Sequence, residues 1–161
     1  MNIKLLVMDV DGTLTDGKIY MGENGEVCKA FSIKDGYSIH NILIPAGIIP
    51  VIITGRQSKI VENRCMELSI TEIHQGVNDK VNELRIILQK YGLEMSNVAY
   101  IGDDLNDLPC MRAVKDNGGI VGCPADAVKE VKDYSDFVAS VGGGEGAVRD
   151  FIEAVLYAER N

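Results

Sequence analysis

Five aspartates in two short runs carry the most chemical information in this chain. Asp9 and Asp11 stand in Asp9-Val10-Asp11-Gly12-Thr13, and Asp103, Asp104 and Asp107 in Gly102-Asp103-Asp104-Leu105-Asn106-Asp107. Between the two runs lie Ile53-Thr54-Gly55-Arg56 and a lone Lys80. Carboxylates held close repel one another unless a cation sits among them, and an all-oxygen donor set suits Mg²⁺. Clustered carboxylates with a hydroxyl and an ammonium therefore predict a magnesium site and phosphoryl transfer. In that chemistry Asp9 would attack phosphorus and form an aspartyl phosphate. Asp11 would protonate the leaving alkoxide, then deprotonate the water that releases phosphate. Thr54 offers a hydroxyl, and Lys80 a charge beside the free N–H groups of a helix start. Taken singly, each piece has a plainer reading: Asp-x-Asp-Gly and Thr54-Gly55 as strand-ending turns, Lys80 as a solvated surface lysine. The acids at 103–107 resist the plain reading, because three carboxylates in five residues after an apolar strand are costly unless neutralised. A calcium loop fits the first run poorly: Gly12 comes too early, and the twelfth position is Tyr20 rather than Glu.

Three of these segments follow apolar runs that read as buried strands, at 3–8, 49–53 and 98–101. Parallel strands bring their C-terminal ends to one sheet edge, where ligands bind. Residues 18–31 read as a β-hairpin with its turn at Gly22-Glu23-Asn24-Gly25. A short helix is expected from about Gly36 to Leu43, stopped by Pro45 and Gly47, and another from about Ser58 to Leu68 with Ile60, Val61, Arg64 and Leu68 near one face. A short strand at 71–74 leads to Asn78, an N-cap candidate for a helix over 79–91 with Val81, Leu84, Ile87, Leu88 and Tyr91 as its apolar stripe. Helices near 105–113 and 126–131, strands near 119–121 and 135–138, a flexible link at Gly142–Gly144 and an amphipathic helix over about 145–158 complete the reading. Strands alternating with helices define a three-layer α/β domain spanning residues 1–161. His40 and His74 lie on apolar faces with no acidic or cysteine partner in register and are read as structural or surface residues.

The formal net charge of −8 argues against a nucleic-acid or membrane-surface binder, which needs a basic stripe. It leaves room for a small anionic substrate, because a metal and a few local cations reverse the field inside a cleft. Cys28, Cys65, Cys110 and Cys123 show no metal-ligand spacing and read as free thiols of a cytoplasmic protein. The N-terminal apolar run is too short for a signal sequence or a membrane span.

The order DxDGT, ITG, Lys, GDDxxD resembles the haloacid dehalogenase superfamily. The longer strings DVDGTLTDGKIYMGENGE, KAF…KDG, ITGR…VENRC, VAYIGDDLNDLPCM and GGGEGAVRDF resemble one branch, the 3-deoxy-D-manno-octulosonate 8-phosphate phosphatases, over about residues 3–157. The resemblance implies a Rossmann-like sheet, Mg²⁺ and a homotetramer. It implies Asp9 as nucleophile and metal ligand, and Asp11 as acid/base and as a ligand through its carbonyl. Thr54 and Lys80 would bind phosphate, Asp103 would be the direct metal ligand, and Asp104 and Asp107 would be supporting acids, Asp104 also counted in the metal set. Thr13, Gly55, Arg56, Arg64 and Asn106 are the expected substrate contacts. Arg64-type residues in this branch are implied to reach the substrate carboxylate of a neighbouring subunit, a task that suits a planar guanidinium. The plainer reading of Arg64 is a surface arginine paired with Glu62 or Glu67. Larger relatives insert a cap between the first and second motifs or between the second and third. Here those intervals hold only the hairpin and short elements, so no cap fits and a neighbouring chain is expected to cover the site. Some members also carry a C-terminal tail longer than the one ending here at Asn161.

Other readings are weaker. Gly12 to Lys18 nearly matches a P-loop but meets Ile19 where a hydroxyl should hold Mg²⁺, and a hairpin rather than a helix should follow. Gly142-x-Gly144-x-x-Ala147 fits a dinucleotide fingerprint but lies one helix from the end of the chain, not in an opening βαβ unit. A non-catalytic phosphatase-like partner domain conflicts with the intact acids and Lys80. Nine-carbon ulosonate phosphates remain the alternative substrates; relatives acting on them can carry Glu where this chain has Arg56.

Overall fold

The computed structural model describes residues 2–160. Strands β1 (Leu5–Met8), β4 (Ile49–Ile53), β5 (Glu72–His74), β6 (Val98–Ile101), β7 (Ile120–Cys123) and β8 (Phe137–Val138) form one sheet in the order β5-β4-β1-β6-β7-β8. Every pairing in it is parallel. Strands β2 (Tyr20–Gly22) and β3 (Gly25–Cys28) pair antiparallel as a separate hairpin. Helices α1 (Ile33–Ser38), α2 (Lys59–Glu67), α3 (Lys80–Tyr91), α4 (Leu108–Lys115), α5 (Lys129–Tyr134) and α6 (Ala147–Arg160) cover the two faces.

Strand alternation divides the core. Leu6 and Met8 of β1, Ile52 of β4 and Ile101 of β6 pack with Ile39, Val61, Cys65, Phe151 and Ile152, under α1, α2 and α6. Leu5 and Val7, Val51 and Ile53, and Val98 and Tyr100 point the other way, onto Leu84, Ile87, Met111 and Val131 of α3, α4 and α5. Both faces of the central strands are therefore apolar, as a doubly covered parallel sheet requires. The chain leaves β1 toward β4 and β5 with helices on one face, then returns to β6, β7 and β8 with helices on the other. That reversal beside β1 is the topological switch point where such sheets bind ligands. Met8 pairs with both Ile52 and Ile101, so β1, β4 and β6 end level and release Asp9, Thr54 and Gly102 at one edge.

Several boundaries differ from the sequence reading. Helix α1 begins at Ile33, because the Ser32 side chain accepts from the N–H groups of Lys34 and Asp35, and runs on as a π-helical turn over Ile39–Leu43. Asp79, not Asn78, caps α3 through Asn82 N at 3.0 Å, which makes Lys80 the first helical residue. Helix α4 starts at Leu108 rather than near 105, with Pro109 in its first turn, and α5 lies over 129–134 rather than 126–131. Gly142–Gly144 is not a flexible link. A Cβ on Gly143 would stand 2.0 Å from Gly12 O, and Gly144 N donates to Thr13 O at 3.2 Å. Bare backbone is needed there because two loops touch. Helix α6, which follows, is held from outside: Asp35 Oδ1 on α1 accepts from Arg149 N at 2.9 Å. The P-loop reading lacks its helix, since turns and then the hairpin follow Gly12.

Candidate active site

Asp9 leaves β1 nearly buried, with its N–H donating to Ile101 O at 3.1 Å. Lys80 reaches the same point from the first turn of α3. Its Nζ lies 2.9 Å from Asp9 Oδ1 and 2.8 Å from Asp107 Oδ1, with the side chain only 4% exposed. The plain reading of Lys80 as a solvated lysine is thus excluded. Asp107 is entirely buried and fully engaged. Its Oδ1 also accepts from the Tyr100 hydroxyl at 2.7 Å, and its Oδ2 accepts from Asp103 N at 3.0 Å and Asp104 N at 3.3 Å. With two donors on each oxygen, Asp107 has no lone pair left for a ligand. It fixes Lys80 and folds the acidic loop.

Asp103 is positioned by Thr13, whose Oγ1 donates to Asp103 Oδ1 at 3.2 Å. The loop of Gly12 lies directly against this carboxylate: φ there is +92°, and an added Cβ would fall 2.0 Å from Asp103 Oδ2. Carboxylate oxygens of Asp9, Asp103 and Asp107 lie within 4.8 Å of one another. Three acids face one ammonium, and the imbalance is visible in their protonation. Burial, then the neighbouring Asp107, push Asp9 up to about 6 against the pull of Lys80. Burial, then Asp9 and Asp107, push Asp103 up to about 8. Burial works against the Lys80 ammonium, yet Asp107 and Asp9 hold its pKa above the ordinary value. A divalent cation would remove this excess negative charge, and since Asp107 is saturated, Asp9 and Asp103 carry the free oxygen donors. The donor set therefore fits Mg²⁺.

Above these groups opens a cleft of about 270 Å³, lined by Asp9, Asp11, Gly17, Thr54, Gly55, Arg56, Asp103, Asp104 and Asn106. Asp104 and Asn106 are exposed at its rim, and the Asp104 carboxylate accepts from Leu105 N at 2.7 Å instead of joining the acid cluster. Thr13 is fully buried and does not line the cleft; its hydroxyl sits against the Asp103 carboxylate. Arg64 does not line it either. Its guanidinium pairs with Glu67 at 2.8 Å, donates to Ser32 O at 3.3 Å and lies 5.6 Å from the Phe31 ring centroid.

Two residues with no sequence signal pair with side chains that line the cleft. Lys29, at the exit of the hairpin, pairs with Asp11 Oδ1 and, at 3.0 Å, with Glu26 Oε2. Glu26 also binds Arg56 Nη2 at 3.2 Å and Ser58 Oγ at 3.0 Å. Nothing in residue type or spacing marks them, because the hairpin must fold back before they meet Asp11. His74 has acidic partners that the sequence reading did not find, and they give it a structural role. Its Nδ1 lies 2.6 Å from Glu83 Oε1 and its Nε2 3.1 Å from Glu72 Oε2, a bridge from β5 to α3. His40 Nδ1 lies 3.2 Å from the Leu68 carbonyl.

A parallel sheet with a carboxylate after β1, a hydroxyl after β4, a lysine on α3 and acids after β6 defines a haloacid dehalogenase-like hydrolase, and residues 66–152 match the model of that family. The chain is 45% identical to the 3-deoxy-D-manno-octulosonate 8-phosphate phosphatase KdsC of Escherichia coli K12, over 98% of this chain and 81% of that one. The crystal structure of the phosphatase of that name from Yersinia pestis superposes with a TM-score of 0.92 at 42% identity, over 99% of this chain and 83% of that one. The Moraxella catarrhalis phosphatase, solved with magnesium, phosphate and KDO, gives 0.90 at 42% identity, over 99% and 88%. The chain belongs to the 3-deoxy-D-manno-octulosonate 8-phosphate phosphatase family.

Proposed function

We propose that this protein hydrolyses 3-deoxy-D-manno-octulosonate 8-phosphate to the free sugar acid and phosphate, with Mg²⁺ as cofactor. The observation that carries the reading is the meeting of Asp9, Thr54, Lys80 and Asp103 at the level ends of β1, β4 and β6. Asp9 attacks phosphorus, and Thr54 and Lys80 orient the phosphoryl group. Asp11, open to the cleft, supplies the proton for the leaving sugar oxygen and then takes one from the attacking water. Asp9, Asp103 and the Asp11 carbonyl would hold Mg²⁺, which offsets the charge gathered by three acids and a phosphate. Arg56, which lines the cleft, would read the sugar acid. Phosphate monoesters are among the most inert esters in water, which accounts for so many convergent groups.

The remaining features belong to the same reading. Residues 1–161 act as one cytoplasmic catalytic domain; among the described residues no helix is long and apolar enough to cross a membrane. The assembly is a homotetramer in which a neighbour covers the open cleft. Exposed Met21 and Val27 on the hairpin support this, as does Arg64 lying outside its own cleft. A monomer at assay concentration by sedimentation equilibrium contradicts the assembly. The function is tested by steady-state kinetics on eight- and nine-carbon ulosonate phosphates with Mg²⁺ and with chelator. The eight-carbon ester should give the highest kcat/KM and chelator should abolish turnover. Preference for a nine-carbon ester, or full activity in chelator, refutes it.

A further inference from the structure

A lysine side chain that is 1% exposed needs a reason to be there. Lys29 is buried against Asp11 and is not part of the cleft lining, while Asp11 and Arg56 both line the cleft. Its Nζ takes Asp11 Oδ1; the other oxygen, Oδ2, is turned toward Arg56 Nε at 3.8 Å. Glu26 closes the ring, binding Lys29 at 3.0 Å and Arg56 at 3.2 Å. Asp11, Lys29, Glu26 and Arg56 thus alternate in charge, two acids and two cations, so the group is neutral and both oxygens of Asp11 have distinct surroundings. Ser58 anchors Glu26 to the start of α2. Through Lys29 and Glu26, the seating of the hairpin and the orientation of Asp11 become one variable.

We propose that Lys29 is a positioning residue for the proton transfer at Asp11: it pins Oδ1 and leaves Oδ2 facing the cleft as the oxygen that carries the proton. The proposal rests on the assignment of Asp11 as proton donor. In the step concerned, a bond forms between an Asp9 oxygen and phosphorus, and the bond from phosphorus to the sugar oxygen breaks. Its electron pair stays on the sugar oxygen, which takes the proton from Asp11 Oδ2. Asp11 is left as a carboxylate between Lys29 and Arg56. A general acid acts only when its proton lies within hydrogen-bond reach of the leaving atom, so a wandering Asp11 side chain would forfeit much of its effect.

The leaving group separates this role from a purely structural one. A sugar alkoxide needs a proton to depart; p-nitrophenolate does not. On one preparation of Lys29→Met, kcat/KM for the ulosonate phosphate should fall about 10- to 100-fold, part of the usual worth of a general acid, and that for p-nitrophenyl phosphate by less than about threefold. Lys29→Arg should recover most of the loss. The ratio of the two values does not depend on the fraction of protein that folds, so instability cannot mimic the result. Equal losses on both substrates would make Lys29 a mere anchor and overturn the proposal. So would a rise in KM for the sugar phosphate with kcat unchanged, which would make Lys29 a binding residue. Asp11→Asn is run beside it. If Asp11→Asn is selective for the alkyl ester and Lys29→Met is not, the proposal alone falls; if Asp11→Asn is unselective, the proton-donor assignment falls and takes the proposal with it.

Discussion

Asp35→Asn should change the pH dependence of stability in a direction fixed by the structure. The Asp35 carboxyl is 2% exposed on α1, accepts from Arg149 N at the start of α6, and has no partner for Oδ2 among the described residues. Burial raises its pKa from the ordinary 3.8 to about 6, opposed by the N–H groups of Arg149, Gly146 and Val148 and assisted by Asp150. Between those two values the folded chain keeps a proton that the unfolded chain has released. Stability must therefore fall as pH rises through that window. A rise of this size corresponds to about 3 kcal/mol in total, of which about 2 kcal/mol falls between pH ~4.5 and ~7.5. Asparagine has nearly the same shape, still accepts from Arg149 N, and does not titrate. Its amide N–H groups would lack partners, a constant cost of about 1–3 kcal/mol, but a constant cancels when the two proteins are compared across pH. The assay is urea unfolding of metal-free wild type and variant at fixed protein concentration over that range. Relative to the variant, the wild type should lose about 2 kcal/mol toward pH ~7.5. A difference that stays constant within about 0.5 kcal/mol would refute the argument that a lone buried carboxylate caps α6.

Two further substitutions probe the site. Gly143→Ala drives a methyl to 2.0 Å from Gly12 O, and neither backbone can yield cheaply; a loss of about 2 kcal/mol or more, seen as a Tm lower by about 5 °C or more, should accompany reduced activity because the loop of Asp9 and Asp11 must shift. A wild-type Tm would show that the two loops do not touch in solution. Asp103→Ala should weaken Mg²⁺ binding by calorimetry far more than Asp104→Ala, since Asp103 stands with Asp9 in the acid cluster and Asp104 turns to Leu105 N; equal losses would place Asp104 in the metal shell.

The sequence by itself determined the strand–helix alternation and the chemical cast: Asp9, Thr54, Lys80 and Asp103 follow apolar runs or open a helix, and such short-range signals survive without a fold. It also located the hairpin turn, because Gly22 and Gly25 bracket a polar pair. What it could not give were relations between segments far apart in the chain. Lys80 reads as a surface lysine until α3 folds over β1 and buries it between Asp9 and Asp107. Gly142–Gly144 reads as a hinge, because glycine signals freedom locally; only the docked loop of Gly12 shows that the residues are bare for close approach. Of the two acids on His74, Glu72 stands two residues away on β5, whereas Glu83 arrives from another element. Lys29 and Glu26 carry no motif, since their meaning depends on the hairpin returning to Asp11. Hydrophobic periodicity is a property of neighbours in sequence, whereas the electrostatics of a site is set by distances that exist only after the chain has folded, and that is why the tertiary structure alone decided which charges face which.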